Sequence, residues 1–427
     1  RFIMNKTIET YLSLALLVLI LIFGRFYLMS DLLFFRLLVG VGLGYVLTRA
    51  YMGFAGSVNR AYTTGSTRLM KTLMLMFFLT ALFSTAVLFK QDASTFDLWI
   101  NPINTGLVLG GVLFGFGMSF SCCCASGVLT DLASSFPRAM ITLVFFCFGV
   151  FIGFPLQNTQ SWITESWIST ETGTKIGTKG VYFPDLFKFD GLDGYLGAVI
   201  ITGIFCLIVV YIANLYENKR RNSGTYAGWL SEKIQDMESK KLIESREGNI
   251  QVSSTYDRIF VKPWSLQTGA FIISGIFVLL MGITKAGWGA STPYGLWFGK
   301  FLMGVGVSSE TISNFAHMPA KPYLIPFFEH PINVQNIGIF LGAFLYLLSA
   351  RIFKKTVSLE WRIKFKPAMF YALGGLCMGF GTRLSNGCNV GALYTPIANF
   401  SLSGWIFLIF LVLGGILGNN VAKKVKI

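Results

Sequence analysis

One glycine-rich segment occurs twice in this chain, and any fold the chain adopts must accommodate both copies. Laid together without gaps, Gly110 to Asp131 (GGVLFGFGMSFSCCCASGVLTD) and Gly374 to Thr395 (GGLCMGFGTRLSNGCNVGALYT) superpose Gly110, Gly111, Gly115 and Gly117 on Gly374, Gly375, Gly379 and Gly381. Phe116, Ser121, Cys124, Gly127 and Leu129 fall likewise on Phe380, Ser385, Cys388, Gly391 and Leu393. One cysteine per copy survives the overlay. In a hydrophobic chain, paired segments interrupted by glycine in corresponding places of two halves mark a duplicated transporter or channel and point at its substrate path.

Composition supports the hydrophobic premise. The 427 residues are 53% hydrophobic and 13% charged, with 46 Gly, too apolar for a soluble domain. The formal charge of +15 does not indicate nucleic acid, because the Lys and Arg cluster between apolar runs and no base-stacking stripe accompanies them. The seven Cys lie almost all within apolar segments and read as free thiols. His317 and His330 flank a proline-rich stretch without metal-ligand spacing, so no metal is expected. No phosphate-binding glycine loop is present, and no cofactor is expected.

Runs of roughly 20 apolar residues are long enough to cross a bilayer as helices. Ten are expected, at about Tyr11–Met29, Asp31–Ala50, Leu69–Lys90, Thr105–Phe120, Arg138–Leu156, Gly194–Tyr216, Leu266–Ile283, Val334–Phe353, Ala368–Leu384 and Leu402–Asn419. The first lacks a small-residue cleavage site and reads as a retained span. Ser121–Pro137 and Ser385–Ser401 are apolar but broken by Gly, Pro and Ser, and too short to cross and return. They read as re-entrant loops carrying half-helices. Such irregular backbone is tolerated at membrane depth only where it lines a cavity or is buried in protein.

Basic residues then orient the spans. The polar stretch Glu217 to Lys262, the stretch Arg351 to Lys366, the tail with Lys423, Lys424 and Lys426, and Arg60 to Lys71 are expected in the cytoplasm. The loop from Gln157 to Asp193 falls outside. On this count the Cys124 loop enters from the cytoplasm and the Cys388 loop from outside, so the copies are inverted, provided that Gly299–Ile312 dips in without crossing. A fainter echo sets Thr48-Arg49-Ala50 and Gly53 on Thr284-Lys285-Ala286 and Gly289, with an insertion around Phe301–Pro331. The expected architecture is therefore an all-α integral membrane protein of two inverted repeats. Residues 1–216 form the first half, with re-entrant loops near 52–68 and 121–137. Residues 217–265 form a polar linker, and residues 266–427 the second half, with re-entrant loops near 285–312 and 385–401.

The string GFGTRLSNGCNVGALYTPIANFSLSGW, with its counterpart GFGMSFSCCCASGVLTDLASSF, resembles the paired signatures of the YeeE/YedE family of bacterial sulfur-compound transporters. The likeness is strongest over Thr105–Gly153 and Ala368–Gly418. It implies an hourglass of helices with re-entrant loops in the inner membrane, uptake of thiosulfate through a narrow cysteine-lined path, and a small TusA-like sulfur-carrier protein as cytoplasmic partner. Some members are associated instead with selenium. Two features depart from the family pattern: Met52–Ser57 contains no cysteine, and the first signature holds three consecutive Cys, Cys122, Cys123 and Cys124.

The chemistry of such a cargo explains the residue types. Thiosulfate is a dianion with hard oxygens at one end and a soft sulfur at the other. A neutral thiol binds that sulfur loosely, as a weak donor and polarizable acceptor, without adding charge. Weak binding suits conduction, which needs a site that is easy to leave. The residues after each cysteine, Ala125-Ser126-Gly127 and Asn389-Val390-Gly391, can begin half-helices whose N–H groups and partial positive charge face an anion. Arg383 adds fixed positive charge to the path, or else pairs with Glu310 or reaches the surface. Arg49 and Lys285 are expected to end helices at an interface. Cys147, Cys206 and Cys377 read as packing residues, and Asp131, replaced by Thr395 in the second copy, is not expected to carry protons. An alternative class, a membrane thiol or persulfide enzyme built on Cys122–Cys124, would need a resolving thiol nearby.

Overall fold

The computed structural model of the chain describes residues 6–246, 254–357 and 363–425. Parts of the expected cytoplasmic stretches, residues 247–253 and 358–362 and Lys426, lie outside the described residues. The first half contains α1 (Lys6–Phe26), α2 (Asp31–Arg49), the short α3 (Gly56–Thr64), α4 (Arg68–Leu88), α5 (Thr105–Ser121), the short α6 (Gly127–Ser134) and α7 (Phe136–Thr159). Two single turns, α8 (Ser161–Thr164) and α9 (Glu171–Lys175), precede α10 (Tyr195–Asn222), and the polar linker forms α11 (Leu230–Arg246). The second half opens with α12 (Leu266–Thr284), α13 (Thr292–Gly304), α14 (Ser309–Ala316), α15 (Lys321–Leu324) and α16 (Pro331–Ser349). It continues with α17 (Phe353–Val357), α18 (Phe365–Leu384), a turn of π-helix at Asn389–Tyr394 that runs into α19 (Thr395–Ala398), and α20 (Leu402–Val425).

All ten expected spans are helices. Eight of them, α1, α2, α4, α7, α10, α12, α16 and α20, are long and apolar enough to cross a bilayer. The other two, α5 with 17 residues and α18 with 20, carry the repeated segment. The expected dip at Gly299–Ile312 is divided: α13 ends at Gly304 and α14 begins at Ser309. Helix α10 also continues past Tyr216 to Asn222, so the linker begins within a helix.

The glycines of the repeat set the central packing. A Cβ on Gly110 would stand 2.6 Å from the Gly381 carbonyl, and one on Gly117 2.5 Å from that of Gly374. The start of one copy thus meets the end of the other, and α5 and α18 run antiparallel in backbone contact, which only small residues permit. The two remaining glycines of each copy face outward from this crossing. Gly111 and Gly115 abut Phe407 and Leu411 of α20, whereas Gly375 and Gly379 abut Thr142 and Phe146 of α7. Each repeat helix therefore packs on the helix that closes the other copy.

The first elements of the halves exchange in the same way. Gly40 and Gly44 of α2 lie against the carbonyls of Gln335 and Ile339 in α16, and α4 meets α12 where Thr80 donates to Ser274 at 2.9 Å. Around the short helices the core is aromatic. Tyr394 has Phe277, Phe77, Phe54 and Trp288 within 5.0 to 6.1 Å, gathering rings from four segments.

Candidate functional site

Cys124 is buried just before α6, and the Gly127 N–H donates to its sulfur at 3.3 Å. A Cβ on Gly127 would stand 3.1 Å from that sulfur, so glycine here allows the approach. Ser126 Oγ lies 3.5 Å from the same thiol. Cys123 is buried beside it, while Cys122 is exposed and ends α5 in the left-handed region at φ 55°. In the second copy Cys388 is fully buried immediately before the π-helical turn at Asn389–Tyr394. Both overlaid thiols are thus enclosed by protein just ahead of a short helical segment. A thiol that accepts through a lone pair keeps its proton as a donor toward a ligand.

Gly391 owes its identity to an aromatic neighbour. The ring of Trp99, a residue at φ 56°, packs on it so closely that a Cβ would stand 1.9 Å from a ring carbon, and the same ring covers Gly289. Trp99 thereby joins the second half's two loops. Beside Cys388, both amide atoms of the buried Asn389 lack a hydrogen-bond partner among the described residues. An orphaned buried amide costs about 1–3 kcal/mol, and such a group marks a place where a ligand or water can act.

Arg383 is 2% exposed and does not pair with Glu310. Its guanidinium donates to Ser291 Oγ at 3.2 Å, Thr382 Oγ1 at 3.1 Å, Gln157 Oε1 at 3.3 Å and Thr292 Oγ1 at 3.5 Å, all neutral acceptors. It does not reach the surface either.

Sequence reasoning missed Tyr294. From α13 its hydroxyl donates to the Ala125 carbonyl at 2.5 Å, next to Cys124. It ties α13 to the residue beside the first repeat cysteine. No signal in the chain marks it, because its position depends on α13 folding back against α7.

The remaining candidates separate. Arg49 is buried with its guanidinium 4.2 Å over the Trp264 ring and hydrogen-bonded to the Lys262 carbonyl, so it joins α2 to the linker and does not sit at an open surface. Lys285 caps α12 in the left-handed region and stands over Phe96. Asp131 is paired with Arg138 at 3.0 Å. Cys147 and Cys206 are buried within α7 and α10, and Cys377 is half-buried on α18. His317 and His330 end or begin helices, and no cluster of metal-ligating residues occurs among the described residues.

A cavity of about 360 Å³ opens beside Cys122, Cys123 and Cys124. Its wall includes Tyr51, Gly53 and Arg60 of the first loop, Asp131 of α6, and Trp229 and Ser231 at the start of α11. Cys124 is thus joined to the linker side of the molecule, whereas Cys388 does not line this cavity.

A family model described as sulphur transport matches residues 49–417. The chain is 32% identical over 161 residues to a probable transporter YedE of Escherichia coli (strain K12), covering 37% of this chain and 38% of that protein. It is 24% identical over 392 residues to the thiosulfate transporter TsuA of Spirochaeta thermophila, covering 88% of this chain and 95% of that protein. The thiosulfate transporter TsuA of Escherichia coli (strain K12) is 33% identical over 81 residues, 18% of this chain and 21% of that protein. The chain thus spans well under half of the YedE relative and nearly all of the spirochaete one.

Proposed function

The chain belongs to the sulphur transport family of multi-pass inner-membrane proteins, and we propose that it takes up thiosulfate or a closely related small sulfur anion. The path runs between two inverted halves, residues 1–216 and 266–427, joined by the cytoplasmic linker 217–265, and narrows as an hourglass where the four loops meet. The observation that carries this reading is the matched position of Cys124 and Cys388 under the overlay of the repeat, each buried just ahead of a short helical segment. Antiparallel α5 and α18 support the inverted relation of the copies.

The anion enters from outside toward Cys388, where Arg383 supplies a full positive charge that no carboxylate cancels among its hydrogen-bond partners. Taking an ion out of water costs several kcal/mol even after relaxation. The guanidinium, the orphaned Asn389 amide and the half-helix N-termini, each worth about 0.3–2 kcal/mol, offset that cost together. Protonated thiols then contact the terminal sulfur in turn, first Cys388 and then Cys124. The ion leaves through the cavity at Cys122–Cys124 with Gly127 in its wall, toward a small sulfur-carrier protein of the TusA kind. The spirochaete and Escherichia coli relatives named as thiosulfate transporters support this cargo over a selenium compound. A thiol enzyme is disfavoured by burial: Cys123 and Cys124 are almost wholly enclosed.

Uptake of labelled thiosulfate into liposomes holding the purified protein tests the reading. Cys388→Ala and Cys124→Ala should each lower uptake at least tenfold, while Cys147→Ala and Cys206→Ala, outside the path, leave it near wild type. Excess sulfate, with matching charge but only hard oxygens, should inhibit weakly. Normal uptake by a well-folded Cys388→Ala protein would remove the thiols from the mechanism.

A further inference from the structure

The cavity beside Cys122–Cys124 has one cation among its lining side chains in the described residues, Arg60, and that cation is already occupied. Its Nη1 lies 3.2 Å from Glu232 Oε1 and its Nη2 donates to the Tyr51 carbonyl at 2.6 Å. Both charged side chains are nearly closed to solvent, at 8% and 5% exposure. The carboxylate comes from α11, 172 residues along the chain, in a linker whose composition alone reads as solvated.

Three further contacts seat α11 over the cavity. Ser66 Oγ donates to Glu232 Oε2 at 2.5 Å, and Gln235 Nε2 donates to the carbonyls of Ala50 and Trp264 at 2.9 and 2.8 Å. Trp229 holds its ring 5.4 Å from the Arg60 guanidinium and lines the same cavity. Next to it the buried Ser231 hydroxyl lines the cavity without a protein partner among the described residues.

We propose that Arg60 is an exit site for the transported anion, and that Glu232 is a tethered carboxylate which holds this site closed until the anion displaces it. The inference rests on the transport reading above for its cargo. A guanidinium binds a carboxylate or an oxyanion through the same fork of donors, so the two compete. A buried charge pair becomes strongly unfavourable when one partner is simply removed, but not when another anion replaces it. An anion arriving from Cys124 takes the place of Glu232, whose carboxylate returns to water as α11 lifts and Trp229 leaves the cavity. Departure of the anion restores the pair and closes the exit.

Labelling of the exposed Cys122 by a membrane-impermeant maleimide reports the position of α11, using full-length protein in detergent with Cys377→Ser to silence the half-buried thiol. Glu232→Gln should be labelled several-fold faster than its parent. Excess thiosulfate should then slow labelling of Glu232→Gln, and the slowing should vanish in the double variant Glu232→Gln with Arg60→Gln, which loses both charges together and is kept only if it elutes as the parent does. Parental labelling rates in Glu232→Gln, or protection by thiosulfate that survives the loss of Arg60, would overturn the proposal. Arg60-dependent protection in a protein whose liposomes move no thiosulfate would sink the transport reading and leave the anion site standing.

Discussion

Arg383 is the residue on which the electrostatics of the Cys388 loop turns. A buried guanidinium surrounded by Ser291, Thr292, Thr382 and Gln157 has hydrogen bonds but no counter-charge among them, an arrangement that stores attraction for an incoming anion. Arg383→Gln should therefore reduce thiosulfate uptake in liposomes by at least tenfold while the protein still elutes as a single species. Arg383→Lys should restore part of it, since an ammonium returns the charge but not the planar fork. Equal uptake by Arg383→Gln and wild type would assign the residue to packing between α18, α7 and α13. The sequence marked Arg383 by its place five residues before Cys388, yet its partners come from segments 91 and 226 residues away. Glu310, the acidic partner considered from sequence, sits on α14 and makes no such contact.

At the scale of elements, the crossing of α5 and α18 depends on four glycines, and their neighbours distinguish them from glycines that merely lie in helices. A Cβ on Gly117 would meet the backbone of Gly374 at 2.5 Å, where no side chain can yield. Gly117→Ala should destabilise the protein by about 1–3 kcal/mol, seen as earlier loss of monodisperse protein on heating in detergent. Gly275 in α12 has nothing within 4 Å of its built Cβ. Gly275→Ala should be neutral or stabilise by up to about 1 kcal/mol through helix propensity. If both variants melt alike, the close crossing is not what holds the two halves. The overlay of the repeat identified these glycines as a set. It did not say that Gly110 meets Gly381 and Gly117 meets Gly374, because antiparallel packing is a property of two helices in contact.

For the whole molecule, the proposal that the two copies are inserted in opposite senses makes a prediction about where the loops lie. A single cysteine placed at Lys241 in the linker should react with an impermeant maleimide only after cells are lysed, whereas one placed at Trp162 should react in intact cells, both on a background with Cys122 and Cys377 replaced. Reaction of both from the same side would change the span count by an odd number and dissolve the inverted relation. This test is independent of cargo, since it reads only where two loops lie.

Much of this protein is already present in its sequence, for a local reason: helix length in a bilayer is set by the length of apolar runs, and each expected span emerged as a helix. The short α6 and α19 follow Cys124 and Cys388 because Gly and Ser or Pro break the apolar run there whatever surrounds it. The repeat likewise named its two thiols without any structure, as duplication leaves identical residues where the same geometry is built twice. Tertiary structure alone decided what those thiols face. Tyr294 reaches Ala125 from 169 residues away, Trp99 lies across Gly289 and Gly391, and Glu232 reaches Arg60 from a linker that by composition would be solvated. Such contacts follow from how the helices cross, and the crossing is fixed by packing of backbones and rings, which leaves no periodic mark along the chain.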